Sequence, residues 1–112
     1  MELTTKKKGD NTMKTIMLVC SAGMSTSLLV TKMEAAAKAK GQEIKIFAVS
    51  EAEAKRHFEE IDVLLLGPQV RFLKKKIEKA LEGKNIPVEV IDSIDYGTMN
   101  GDSVLTKALA LL

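Results

Sequence analysis

The stretch Cys20-Ser21-Ala22-Gly23-Met24-Ser25-Thr26-Ser27 stands between a near-continuous apolar run, Thr15–Val19, and a helical pattern, Leu28–Lys40, whose Leu29, Met33, Ala36 and Ala37 share one face. A strand that empties into a loop of small residues and then a helix is half of a β-α-β unit. Downstream the same alternation repeats. Glu43–Val49 alternates, with Ile44, Ile46 and Ala48 set against Glu43, Lys45 and Phe47. Ser50 and Glu53 then have the spacing of a capping box, opening a short helix that should turn Ala54, Phe58 and Ile61 inward. Ile61–Leu66 is a second continuous apolar strand, broken by Gly67 and Pro68. Val70–Leu81 carries Val70, Leu73, Ile77 and Leu81 at helical spacing, Ile86–Ile91 alternates around Pro87, and Asp102–Leu112 closes as an amphipathic helix with Val104, Ala108 and Leu111 in register. Gly41 and Gly83 read as helix stops.

The pattern predicts an α/β fold: an open four-stranded parallel sheet with helices on both faces. Strands 1 and 3 are apolar on both faces, as central strands of parallel sheets are. Strands 2 and 4 alternate, and the proline of strand 4 suits an edge. Right-handed crossovers then favour the order 2-1-3-4. That order reverses direction between strands 1 and 3, opening a crevice outside their carboxyl ends, where open α/β sheets bind ligands. Cys20 ends strand 1 and the turn from Gly67 to Val70 ends strand 3, so both are expected at this crevice.

Composition narrows the function. Of 112 residues, 46% are hydrophobic and 29% charged, which supports a soluble, folded chain. Residues 13–112 read as a single domain behind a flexible, lysine-rich N-terminal extension, 1–12. A net charge of +2 and 4% aromatics argue against a nucleic-acid partner. The chain's only cysteine and only histidine exclude an internal disulfide, a Cys-x-x-Cys pair and the usual zinc site, so no metal and no cofactor is expected. No apolar run approaches the roughly 20 residues of a membrane span, and Met1–Thr12 lacks the apolar core of a signal peptide. The expected compartment is a reducing cytoplasm.

The loop supplies the chemistry. Small side chains at Ser21, Ala22 and Gly23 let the backbone curl so that successive amides face one concavity, an anion nest. The helix beyond adds its unpaired N–H groups and the positive end of its dipole. Ser21, Ser25, Thr26 and Ser27 add hydroxyls, so Cys20 is the candidate nucleophile and Ser21 through Ser27 the candidate phosphate cradle. The same field favours thiolate over thiol at Cys20. A lone cysteine at a strand end is often a small buried hydrophobe, and the serines could be plain helix caps; the loop that follows Cys20 is what favours chemistry. A similar strand, cysteine loop and helix occur in low-molecular-weight tyrosine phosphatases, with a P-loop of the form Cys-x5-Arg. Thr26 occupies the place of that arginine here, and Asp92 and Asp95 are the only nearby candidates for a leaving-group acid. Without the arginine the loop is better suited to hold phosphocysteine than to hydrolyse it. A phosphatase or arsenate reductase acting alone, and a non-catalytic binding module of flavodoxin-like fold, remain as rivals.

Three segments go further. Leu18-Val-Cys-Ser-Ala-Gly-Met-Ser-Thr-Ser-Leu-Leu-Val30, Leu64-Leu-Leu-Gly-Pro-Gln-Val70 and Pro87-Val-Glu-Val-Ile-Asp-Ser-Ile-Asp-Tyr-Gly97 resemble the enzyme IIB components of the lactose/cellobiose class, most closely the cellobiose/chitobiose type, of the bacterial sugar phosphotransferase system. The resemblance spans about Met13–Leu112. It implies a phosphocarrier: phosphohistidine on a IIA protein passes its phosphoryl group to Cys20, and the phosphocysteine passes it to a β-linked disaccharide bound by the membrane IIC permease. It also implies a cytoplasmic chain without membrane insertion, associated peripherally with that permease. A monomer suits a carrier that presents one crevice to two partners in turn.

Four further residues are secondary candidates. Gln69 and Arg71 follow the Gly67-Pro68 break beside the nest, where they could meet a partner or the phosphoryl group, or simply begin a solvated helix. Asp92 and Tyr96 lie past strand 4 and are expected further from Cys20 in turn roles, with contact to a partner or to the cysteine loop as the functional alternative. His57 should sit away from Cys20 at the surface or half-buried, Met17 and Met33 in the core, and Met24 at an exposed loop tip.

Overall fold

Two runs of side chains with no polar face, Lys14–Val19 (β1) and Val63–Leu66 (β3), lie side by side at the centre of a parallel sheet. The computed structural model describes residues 13–20 and 24–112, except for the side chains of Met24 and Ser25. Ile44–Val49 (β2) pairs with the outer side of β1, and Val88–Val90 (β4) with the outer side of β3. The resulting order, β2-β1-β3-β4, is the one expected from the apolar pattern. Alternate residues of β1 enter two separate cores. Ile16 and Leu18 pack with Ile46, Val63 and Leu65 beneath α1 (Met24–Ala39) and α5 (Gly101–Leu109), where Leu29, Met33, Val104, Leu105 and Ala108 are buried. Met17 and Val19 face the opposite side with Leu64, Leu66 and Val88. There they meet Ala54 of α2 (Glu51–Ala54), Phe58 and Ile61 from the segment after it, and Ile77 of α3 (Lys74–Ala80). No helix among the described residues is long and apolar enough to cross a membrane.

Several boundaries differ from expectation, each for a local reason. The first helix begins at Met24 instead of Leu28, so Met24 to Ser27 form its first turn and are not loop. Helical Ser and Thr compete poorly with Leu in propensity, which hid that turn. Ser50 does cap α2, but through its carbonyl, which accepts from Glu53 N–H at 3.1 Å; its side chain makes no cap bond, so the capping-box reading fails in its side-chain part. The run from Val70 to Leu81 buries the expected face, yet Pro68–Leu73 is a 3₁₀ segment kinked at Val70 (φ −118°, ψ 24°), and the α-helix proper starts at Lys74. Strand β3 starts two residues late: Asp62 N–H donates to the Thr15 carbonyl at 2.8 Å, but the Thr15 N–H is taken by the Asp62 carboxylate, also at 2.8 Å, instead of a backbone carbonyl. The N-terminal segment 1–12 lies outside the described residues.

A short helix that periodicity did not reveal, α4 (Ser93–Gly97), joins β4 to α5. Asp92 caps it, accepting from Ile94 N–H at 2.7 Å and Asp95 N–H at 3.3 Å. Asp95 then clasps α4 to α5: one carboxylate oxygen accepts from Lys107 Nζ at 2.9 Å and from Ser103 Oγ at 2.8 Å. At the base of the clasp Gly101 lies so close to α1 that a Cβ would stand 2.5 Å from the Lys32 carbonyl carbon and 2.6 Å from the Met33 nitrogen. A glycine is required there by space alone.

The Lys107 ammonium, with the Ser103 hydroxyl, holds the Asp95 carboxyl below its ordinary 3.8. Its ionised form therefore stabilises the clasp above the unfolded value and loses that effect as pH falls through the lowered one. Asp95→Asn should be less stable than wild type at neutral pH, and denaturant midpoints of the two proteins should converge below about pH 4. A constant gap down to the acid limit would show that the Asp95 charge contributes nothing.

Candidate active site

Hydrogen bonding stitches the carboxyl ends of three strands around Cys20. Its N–H donates to the Val49 carbonyl at the end of β2 (3.1 Å), and Gly67 N–H, just past β3, donates to the Val19 carbonyl (2.9 Å). These bonds extend the ladder one residue beyond each strand. They hold the Cys20 backbone in the crevice between β1 and β3, with the thiol 2% exposed.

The Gly67 turn packs directly on the sulfur. A Cβ at Gly67 would stand 2.7 Å from Cys20 Sγ and nearer still to Gln69 Oε1. Gly67 has φ −61° and ψ 150°, a conformation open to any residue, so the demand is again for space and not for backbone freedom. Sequence reading treated Gly67 only as a strand break. Its signal was present in the Leu64–Val70 segment, but the contact with Cys20 spans nearly half the chain. Gln69 Oε1 and Cys20 Sγ both crowd the space over Gly67, while Arg71 is exposed in the 3₁₀ segment beyond.

Four residues past Cys20, α1 begins at Met24. Its first turn, Met24 to Ser27, forms the positive end of the helix dipole. Ser21, Ala22 and Gly23 lie outside the described residues, as do the side chains of Met24, proposed as a loop tip, and of Ser25. Thr26 is completely buried, and its hydroxyl meets the Tyr96 hydroxyl at 3.3 Å. Tyr96 thus reaches the cysteine segment, closer than its place past β4 suggested. Asp92 stays in a turn role as the α4 cap.

The other titratable candidates are committed elsewhere. His57 lies on the far side of β2, its Nδ1 3.0 Å from Glu60 and its ring edge-on to Phe47 at 4.9 Å. Asp95, which a phosphatase would need protonated, is held ionised by Lys107 and Ser103. A shallow cleft between β4 and α5 has an apolar floor of Leu65, Ile91, Val104 and Ala108, and its charged rim is closed on itself by the Lys107–Asp95 pair.

Known proteins share this arrangement. The profile of the family described as PTS system, Lactose/Cellobiose specific IIB subunit, matches residues 15–107. The oligo-beta-mannoside-specific EIIB component of Bacillus subtilis (strain 168) is 47% identical over 100 residues, covering 89% of this chain and 97% of that protein. The cellobiose-specific EIIB component of Lactococcus lactis subsp. lactis (strain IL1403) is 48% identical over 104 residues, covering 88% and 96%. Among solved structures, the cellobiose-specific IIB component from Borrelia burgdorferi superimposes with a TM-score of 0.74 at 47% identity, over 92% of this chain and 94% of that one. The lactose-specific IIB domain from Streptococcus pneumoniae, only 14% identical, still matches the fold with a TM-score of 0.75 over 88% and 97%. With the family's profile spanning nearly all of the sheet and helices, and close relatives matched over almost their full length, this chain belongs to the lactose/cellobiose-specific IIB family of the sugar phosphotransferase system.

Proposed function

We propose that Cys20 is the residue that carries the phosphoryl group, and that the chain relays it from a IIA phosphohistidine to a β-linked disaccharide of the cellobiose kind bound by a IIC permease. Proteins of this family are phosphotransferase components that work with IIA and IIC partners. The sulfur's setting supports the reading: it lies against Gly67, at the carboxyl edge of the sheet, and α1 begins four residues later in the chain.

The two steps balance as follows. The Cys20 thiol gives up its proton as its sulfur attacks phosphorus in line with the P–N bond; the S–P bond forms, the P–N bond breaks, and the imidazole leaves with that electron pair and takes up the proton. A sugar hydroxyl then attacks phosphorus, the S–P bond breaks, and the thiolate is restored. Each step gathers negative charge on the transferred oxygens, which fixed amide donors stabilise without reorganising. The loop amides from Ser21 to Ser27 and the hydroxyls of Ser21, Ser25, Thr26 and Ser27 are the proposed donors. Gln69 adds one more, because its amide end carries an NH₂ as well as the oxygen that crowds Gly67. The base for the sugar hydroxyl belongs to the permease, since His57 is bonded to Glu60 and Asp95 is already paired.

The surface around the crevice suits brief docking. Phe72 beyond β3 and Ile94 at the start of α4 are 75% and 73% exposed, and Leu28 on α1 is half exposed. Large apolar side chains left in water at the edge of a site mark a partner surface. The proposed place of action is the cytoplasmic side of the membrane, beside the permease. Sugar choice is left to that permease, and a single copy of the chain is sufficient for the chemistry.

Incubation with a IIA protein of this class, phosphorylated through the general phosphotransferase proteins, should add the mass of one phosphoryl group to the wild type and none to Cys20→Ser. Label on His57 would overturn the reading. Steady turnover of an aryl phosphate by the isolated chain would favour a phosphatase instead. Gly67→Ala should slow labelling by roughly ten- to a hundred-fold, the cost of misplacing a nucleophile by about 1 Å. It should also cost about 1–3 kcal/mol of stability, from overpacking against the thiol.

A further inference from the structure

We infer that Tyr96 is a positioning residue for phosphoryl transfer: it fixes the direction of the Thr26 hydroxyl and so ties the phosphate cradle to the α4–α5 clasp. The inference rests on the phosphocarrier reading and goes beyond it in assigning a role outside the loop.

Thr26 has no contact with solvent, so its hydroxyl cannot borrow water to satisfy itself. Among the described residues its hydroxyl meets the Tyr96 hydroxyl at 3.3 Å, from a residue 70 positions later in the chain. A hydroxyl has one proton to give and two lone pairs to receive. A phenol is the more acidic of the two groups, so the favoured arrangement has Tyr96 donating to Thr26 Oγ1. The Thr26 proton is then released to point elsewhere. Thr26 lies in the first turn of α1, six residues after Cys20, and in this reading the freed proton serves a phosphoryl oxygen carried by the cysteine. With the phenol removed, the threonine hydroxyl is free to turn its proton away, and a donor preorganised for the developing charge becomes one that must be reoriented.

The phenol is itself held in place. Tyr96 N–H donates to the Asp92 carbonyl at 2.9 Å, and the neighbouring Asp95 is bound to Ser103 and Lys107 of α5. Gly101, where α5 begins, is pressed against the α1 backbone at Lys32 and Met33. The helix carrying Thr26 and the helix carrying Tyr96 are therefore locked to the same third element. A hydroxyl pair built across such a frame has little freedom to drift.

A double-mutant cycle with Tyr96→Phe, Thr26→Ala and the pair tests this, using the phosphorylated IIA protein as donor. Tyr96→Phe keeps the ring and its packing, and thermal melts check that each variant is folded. Tyr96→Phe should lower kcat for labelling of Cys20 roughly five-fold, the usual weight of one hydrogen bond, with KM for the phosphorylated IIA unchanged. Thr26→Ala should lower kcat by at least as much, and the double variant no further than Thr26→Ala alone. The ³¹P resonance of the phosphocysteine should move in Tyr96→Phe, which a purely structural role would leave in place. Losses that multiply in the double variant, or a Tyr96→Phe protein matching wild type in rate and spectrum, would overturn this inference alone. A wild-type chain that never takes label would overturn the phosphocarrier reading and this inference with it.

Discussion

Cys20 Sγ and the Gly67 turn approach so closely that no side chain fits between them. That approach constrains the carboxyl edge of the sheet. It requires β1 and β3 to be neighbours, because only adjacent strands bring their following residues into contact. Adjacency in turn requires both strands to be apolar on both faces, since helices cover each side. The Gly67 N–H bond to Val19 and the Cys20 N–H bond to Val49 then fix the height of the thiol to within one residue of the strand ends. With the sulfur set, the first turn of α1 and the Gln69 amide have a defined point to serve.

Much of this was legible in the residues because it rests on local pattern. Continuous runs at Thr15–Val19 and Ile61–Leu66, against alternation at Glu43–Val49 and Ile86–Ile91, suffice to order the sheet. Burial of Val70, Leu73, Ile77 and Leu81 follows from their spacing even though the first two of them sit in a 3₁₀ segment, since both helix types return a face every three or four residues. What stayed hidden depends on contacts across the fold. Five residues, Ser93–Gly97, are too few to show a period, so α4 was not visible. Without α4 nothing indicated that Tyr96 turns back to Thr26. Gly67 looked like punctuation because its reason, a sulfur 47 residues earlier, is not local.

The same contacts favour the proposed relay over hydrolysis. A phosphatase built on such a loop places an arginine six residues after its cysteine. Here that position is Thr26, buried and engaged with Tyr96. Of the two candidate leaving-group acids, Asp92 caps α4, and Asp95 is held ionised in the clasp and has no proton to give. On the proposed reading, amides and hydroxyls would stabilise a resting phosphocysteine, without the groups that would hasten its loss to water. Such a site would store a phosphoryl group until a partner arrives, with Phe72 and Ile94 left exposed as apolar contacts.

The central claim is that the phosphoryl group rests on Cys20 among the first-turn amides of α1 and the Gly67–Gln69 turn. Backbone amide spectra of the protein before and after phosphorylation test it most directly. The account predicts the largest shifts at residues 20–27, a second group at Gly67–Gln69, a smaller one at Tyr96, and almost none in β2 or α3. Shifts centred on His57 and Glu60, or a loop whose amides do not respond when Cys20 is loaded, would contradict it.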